Sequence, residues 1–219
     1  MEQGTQWVKD FELGEPALVC RWRIAGGRLP LENRHLRALG ARTVVGCPVS
    51  TQLLSWAKQH IEWTLTDGSA ANPDGVLMLL MDAEGRAAMS VGPYEPLADT
   101  SANALARRAA SSARERAQTG VAPETLWAAH DGALVWGVAD GACAHGAASL
   151  VLDLASTLGI EVVRDAALLD AAASSDLSEQ VFLCSDEHGV VPAAGASDAT
   201  VQRLSAGYQK LLDHERAQR

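Results

Sequence analysis

The chain has 219 residues, 47% of them apolar and 21% charged, with a net charge of −9 at neutral pH. That length suits one large domain or two small ones. The acidic balance argues against nucleic acid as a partner, because a phosphate backbone must be met by clustered Lys and Arg. The longest apolar run, Val76 to Met81, is far too short to span a bilayer, and Met1 to Lys9 has no apolar core of the kind a signal peptide carries. Cys20, Cys47, Cys143 and Cys184 show no C-x-x-C spacing, which speaks against a zinc or redox motif. These features predict a cytoplasmic protein with reduced thiols and no membrane association.

In chain order, Ala17 to Ile24 reads as a strand, and Gly26-Gly27 as a tight turn, since glycine tolerates positive φ. Asn33 is placed to cap a short helix with Leu36 and Leu39 on one face. Val44 and Val45 are followed by Pro48, which breaks the run. Ser50 opens a helix with Leu53, Leu54, Ala57 and Ile61 at helical spacing. Asn72-Pro73-Asp74-Gly75 signals a turn, and Val76 to Met81 with Arg86 to Val91 a β-hairpin. Gly92 to Thr100 connects the two halves.

Ser101 caps an Ala- and Arg-rich helix to Gln118, whose arginines Arg107, Arg108, Arg114 and Arg116 read as its solvent face. Leu126 to Ala129 and Ala133 to Val138 form a second hairpin around Asp131-Gly132. His145 to Leu158 is helical with Gly159 as its stop, and Ile160 to Val163 is a strand. Val181 to Cys184 and Val190 to Val191 are strands flanking Ser185 to Gly189. Ser197 caps a last helix with Val201, Leu204, Tyr208 and Leu211 on its buried stripe. The reading is α+β in two halves.

Four stretches, in order, resemble one family. They are Gly27-Arg28-Leu29-Pro30-Leu31-Glu32-Asn33-Arg34-His35-Leu36-Arg37-Ala38-Leu39, then Ser101-Ala102-Asn103-Ala104-Leu105-Ala106-Arg107. Glu124-Thr125-Leu126-Trp127 with Asp131-Gly132-Ala133-Leu134-Val135 follows. The last runs from Leu150 through Gly159-Ile160-Glu161-Val162-Val163 to Gln180-Val181-Phe182-Leu183-Cys184-Ser185 and Gly189-Val190-Val191-Pro192. Together they are similar to the class IV pyridoxal-phosphate enzymes, the aminodeoxychorismate lyases and the D-amino-acid and branched-chain aminotransferases. The resemblance covers about residues 17 to 195. It implies an N-terminal α/β sandwich over residues 1–97, a C-terminal pseudo-barrel domain with a last helix over 98–219, and a homodimer.

The departures fall on the cofactor. The family's Schiff-base lysine lies several residues before the position of Asn103, yet Gly92 to Ala102 holds no lysine, and the chain's only lysines are Lys9, Lys58 and Lys210. That amine forms the internal aldimine and moves substrate protons, work arginine cannot do because it does not deprotonate. Trp136-Gly137 stands where the family's E-G dipeptide meets the pyridine nitrogen. Ala147-Ala148-Ser149 stands where a G-(I/V)-T-R turn would grip the phosphate at the start of a helix. The expectation is a protein without a cofactor, the alternative being a pyridoxal-phosphate enzyme with a displaced lysine.

Arg21 and Arg23 alternate with Cys20 and Trp22, so they share one strand face, which the resemblance turns toward the active site. Two arginines there suit a carboxylate or phosphate, against the plainer reading of a solvated face. Arg34 lies near the family's phosphate-binding arginine. Trp136 is placed to fill the space of the lost ring, against an ordinary core tryptophan. Asp186, Glu187 and His188 border the pocket in the family, with too few ligands at set spacing for a metal. Cys143 and His145 read as a packed thiol and a helix-start histidine. The expectation is a cleft near Gly92 to Asn103 with a basic wall (Arg21, Arg23, Arg34), an aromatic floor (Trp136) and a polar loop carrying His188. It would take a small carboxylate or phosphate ligand, with or without catalysis. A non-catalytic scaffold is the remaining alternative.

Overall fold

The computed structural model describes residues 12–173 and 180–218. In chain order the first elements are β1 (Pro16–Arg23), α1 (Glu32–Gly40), β2 (Thr43–Val44), β3 (Cys47–Pro48), α2 (Thr51–Gly68), β4 (Val76–Asp82) and β5 (Ala87–Gly92). After a connection come α3 (Ala102–Thr119), β6 (Glu124–His130), β7 (Ala133–Trp136), α4 (Gly146–Leu158), β8 (Val162–Arg164), α5 (Ala167–Ala173), β9 (Val181–Ser185), β10 (Gly189–Pro192) and α6 (Ala199–Ala217).

The first half is a three-stranded antiparallel sheet in the order β1-β4-β5. Its strands alternate as a half-covered sheet requires. Leu18, Cys20 and Trp22 of β1 join Leu77 and Leu79 of β4 in a core closed by Leu39 of α1 and by Ala57, Ile61 and Leu65 of α2. The opposite side chains of β1, Val19, Arg21 and Arg23, turn away from that core. Ser50 starts α2 as the sequence predicts, its hydroxyl accepting from the Leu53 N–H at 3.1 Å.

The second half is a five-stranded sheet in the order β10-β9-β6-β7-β8, antiparallel except for the parallel pair β7–β8 joined through α4. Both faces are covered. Trp127, Trp136, Phe182 and Cys184 pack under Val151 and Ala155 of α4 and Leu204 and Tyr208 of α6. Leu126, Ala128, Val181 and Leu183 pack under Leu105 and Ala109 of α3, with Leu168 and Leu169 of α5 at the edge. This explains why Val181 to Cys184 is a continuous apolar run rather than an alternating one. Asp131 and Gly132 take φ 49° and 80°, the left-handed pair that a two-residue hairpin turn needs.

Three local readings are corrected. Asn33 lies inside α1, because the Leu31 carbonyl already accepts from the N–H groups of Arg34 and His35. Asp198, not Ser197, caps α6: its carboxylate accepts from Thr200 and Val201, while the Ser197 N–H goes to Gln180 Oε1. Helix α5 was not expected, and β8 begins at Val162 rather than Ile160. The halves meet where α1 packs on α4 and where the Arg23 N–H at the end of β1 donates to the Asp186 carbonyl at 3.1 Å.

Candidate functional site

A cleft of about 640 Å³ lies between the halves. One wall is the outward face of β1, with Val19 and Arg21. The connection contributes Leu97, Ala98 and Asp99, and α3 presents one helical face with Ala104, Arg107, Arg108, Ser111, Ser112 and Glu115. Pro123, Glu124, Ser185 and Glu187 close the far end. The volume is that of an ordinary small-molecule pocket.

Charge in this cleft is paired. Arg21 grips Glu187 with two bonds, Nε to Oε2 at 2.6 Å and Nη2 to Oε1 at 2.7 Å. Arg108 Nη2 donates to Glu124 Oε1 at 2.7 Å, and the Ser185 hydroxyl donates to the same oxygen at 2.9 Å. Ser185 Oγ in turn accepts from the Glu187 and His188 N–H groups. Beneath the floor, Arg42 holds Glu115 at 2.7 Å and Thr119 at 3.1 Å. Burial pushes Glu187 up, but the Arg21 hydrogen bond and the His188 and Arg21 charges outweigh it and leave the carboxyl below its usual range. Arg107 is held least, with its side chain 72% exposed and Asp99 at 4.0 Å.

The expected residues are thus separated. Arg21 lines the cleft. Arg23 is buried behind Tyr94, its guanidinium 3.4 Å over the ring, with Nη1 donating to the Asp74 carbonyl at 2.6 Å. His188 packs beside the same ring, 5.6 Å between centroids, and its burial pushes its pKa down. Arg34 lies elsewhere, on a hollow of about 400 Å³ with Arg37 and His145, donating to Ser149 Oγ and Asp153 Oδ2 at 2.8 Å each. Trp136 is 1% exposed and stacks on Trp127 at 5.0 Å, so it belongs to the core of the second sheet and not to the cleft floor. The basic wall with an aromatic floor is therefore replaced by a mosaic of Arg–Glu pairs around an apolar strip.

Next to the cleft, inside the protein, Asp186 is 5% exposed. Its Oδ1 accepts from the Ala147 N–H in the first turn of α4 at 2.8 Å, and its own N–H donates to the Pro123 carbonyl at 3.0 Å. Gly146, at φ 51°, is the residue over which the carboxylate lies, and a Cβ there would collide with it. His35, 1% exposed and stacked on Trp22, points Nδ1 at Asp186 Oδ1 from 3.8 Å, too far for a hydrogen bond. That nitrogen has no partner among the described residues. Burial raises Asp186 to about 7 against the pull of Ala147 and Arg42, and burial lowers His35 to about 3. The sequence reading placed Asp186 in a polar loop and did not single out His35. Nothing local marks the pairing, because the Asp186 carboxylate meets α4 39 residues back in the chain.

Lys58 and Lys210 are exposed, on α2 and α6, and neither lines the cleft. Lys9 lies outside the described residues. Among the described residues no three His, Cys, Asp or Glu side chains gather as a metal site, and no helix is long and apolar enough to cross a membrane.

No family model matches the sequence, and no curated protein does. Solved structures do match. A Mycobacterium tuberculosis hypothetical aminotransferase in its PLP-bound form is 15% identical, with a TM-score of 0.58 over 97% of this chain and 96% of that one. A Legionella pneumophila structure provisionally named as a 4-amino-4-deoxychorismate lyase is 10% identical, with a TM-score of 0.54 over 93% and 97%. The Escherichia coli branched-chain amino acid aminotransferase is 13% identical, with a TM-score of 0.52 over 90% and 85%. The chain therefore has the α+β fold of the class IV aminotransferases and aminodeoxychorismate lyases.

Proposed function

We propose that this chain is a cytoplasmic, homodimeric protein of class IV fold that works without pyridoxal phosphate and binds a small carboxylate-bearing metabolite in the cleft between its halves. The observation that carries the reading is the connection itself. It forms a wall of the cleft and presents Leu97, Ala98 and Asp99 there, with no amine from residue 92 to residue 102. Without that amine no Schiff base with the cofactor can form at this wall.

Two further features count against the cofactor. The resemblance puts its phosphate at the start of α4, where the Asp186 carboxylate already takes the Ala147 N–H. It puts the pyridine-contacting acid where Trp136 is buried in the core. The residues present do not fit the group.

The cleft offers an apolar strip of Val19, Leu97, Ala104 and Pro123 for the body of a ligand. Arg107 is its loosely held cation, and Arg21 becomes one if a ligand carboxylate displaces Glu187. The test is an absorbance scan of purified protein for the aldimine band, followed by thermal shift with a panel of small carboxylic acids. No band and a saturable shift are expected, the shift being reduced by Arg107→Ala. A yellow protein bleached by borohydride, with the label on Lys9, Lys58 or Lys210, overturns the cofactor-free reading. A panel without any shift favours a scaffold.

A further inference from the structure

We propose that the first turn of α4, together with His35, is a carboxylate-binding seat, and that Asp186 is its built-in occupant. The proposal stands apart from whatever the cleft binds. Three observations carry it. The Ala147 N–H, one of the unpaired donors that open a helix, ends on Asp186 Oδ1 at 2.8 Å. Gly146 leaves the volume into which the carboxylate fits, and any side chain there would collide with it. The His35 ring, 1% exposed and without a hydrogen-bond partner among the described residues, aims Nδ1 at the same oxygen from 3.8 Å.

A buried ring nitrogen without a hydrogen bond is costly, and this one is kept 3.8 Å from the Asp186 carboxyl group. Burial raises the pKa of this carboxyl group, while the Ala147 N–H at the helix start and the nearby Arg42 guanidinium act the other way and steady its charged form. The occupant is fastened. Its backbone carbonyl accepts from Arg23 and its N–H donates to Pro123. On either side of it the Ser185 hydroxyl holds the turn and Glu187 is gripped by Arg21. The turn between β9 and β10 thus acts as a plug that bars α4 to outside anions.

The experiment uses the full chain. Asp186→Ala removes the carboxyl group that formate replaces almost atom for atom. Thermal melting is followed in formate, acetate and phosphate against chloride at matched ionic strength. The wild type should melt at the same temperature in formate as in chloride. Asp186→Ala should melt lower and regain part of the loss in formate, saturably and more than in acetate. Phosphate, too large for the hole, should do no more than chloride. Asp186→Asn, which keeps the seat filled and retains an acceptor for Ala147, should not respond to formate.

If the alanine variant precipitates, refolding yield replaces melting, and formate should raise it. A wild type that gains from formate, an alanine variant that regains nothing by either readout, or a phosphate effect equal to that of formate each overturns the proposal.

Discussion

Charge is housed in two ways in this molecule. At the cleft rim, Arg21 and Glu187 are paired within reach of water, the arginine 44% and the glutamate 12% exposed. A few residues inward, Asp186 and His35 are 5% and 1% exposed and stop short of a hydrogen bond with each other. Water reaches the rim pair from the arginine side, which weakens it relative to an ion pair wholly inside the protein. Asp186 is not free in this way, since moving it would leave the buried Ala147 N–H unsatisfied and its own backbone is tied to Arg23 and Pro123.

The contrast between interior and rim can be tested residue by residue. The largest effect should come from Trp136→Ala, which removes a ring stacked on Trp127 at 5.0 Å. It should cost about 3–5 kcal/mol by denaturant unfolding. A small loss of stability with a large loss of ligand affinity would return this side chain to the cleft. Next is Arg42→Ala. Its guanidinium side chain is 2% exposed, but its partner Glu115 is 34% exposed and can rehydrate, so the loss should be about 2–3 kcal/mol, below the full figure for a broken buried pair. A loss under about 1 kcal/mol would class this pair with the rim.

The third test is pH. Asp186 titrates at about 7 against an ordinary 3.8, so the folded state holds a proton that the unfolded chain releases. Its contribution to stability is complete below about 3.8 and is lost as pH rises through about 7. His35 titrates at about 3 against 6.5, the opposite case. Its contribution is present above 6.5 and is lost as pH falls toward 3. Between those limits the two slopes oppose each other, so this pair of groups adds little net pH dependence to the wild type. Asp186→Asn should uncover a stability that falls on acidification, and His35→Gln one that falls on alkalinisation. Two variants with the same slope would show that these groups do not set the pH response. The smallest stability effect should come from Arg107→Ala, within about 0.5 kcal/mol for a surface change, with its effect confined to carboxylate affinity.

Much of the fold was legible because its signals are local. Ser50 and Ser101 cap the helices they precede, Asp131-Gly132 turns its hairpin, and Gly159 ends α4 in the left-handed conformation. α5 spans only seven residues, too few to show a period. The site was less legible, because its partners are distant in sequence. Alternation put Arg21 and Arg23 on one face correctly. That Glu187 would take one and Tyr94 cover the other depends on how the halves dock. Arg34 reads as an anion ligand until Ser149 and Asp153 of α4 are found on its guanidinium. Trp136 could serve a cleft or a core, and the choice lay with α4 and α6, which cover its face of the sheet.

The place of β9 in the second sheet bears on how the chain comes to fold. β6 pairs with β7 across a two-residue turn, but its other edge waits for β9, whose first residue, Val181, pairs with Ala128. A growing chain that has emerged only as far as α5 carries β6 with that edge open, and on its two faces the side chains of Leu126 to Ala129 are all apolar. Open apolar edges recruit foreign strands. Closing this one brings together residues far apart in the chain, Ala128 and Val181, which is slow relative to hairpin formation. Until Val181 arrives, that edge of β6 is open to intermolecular pairing.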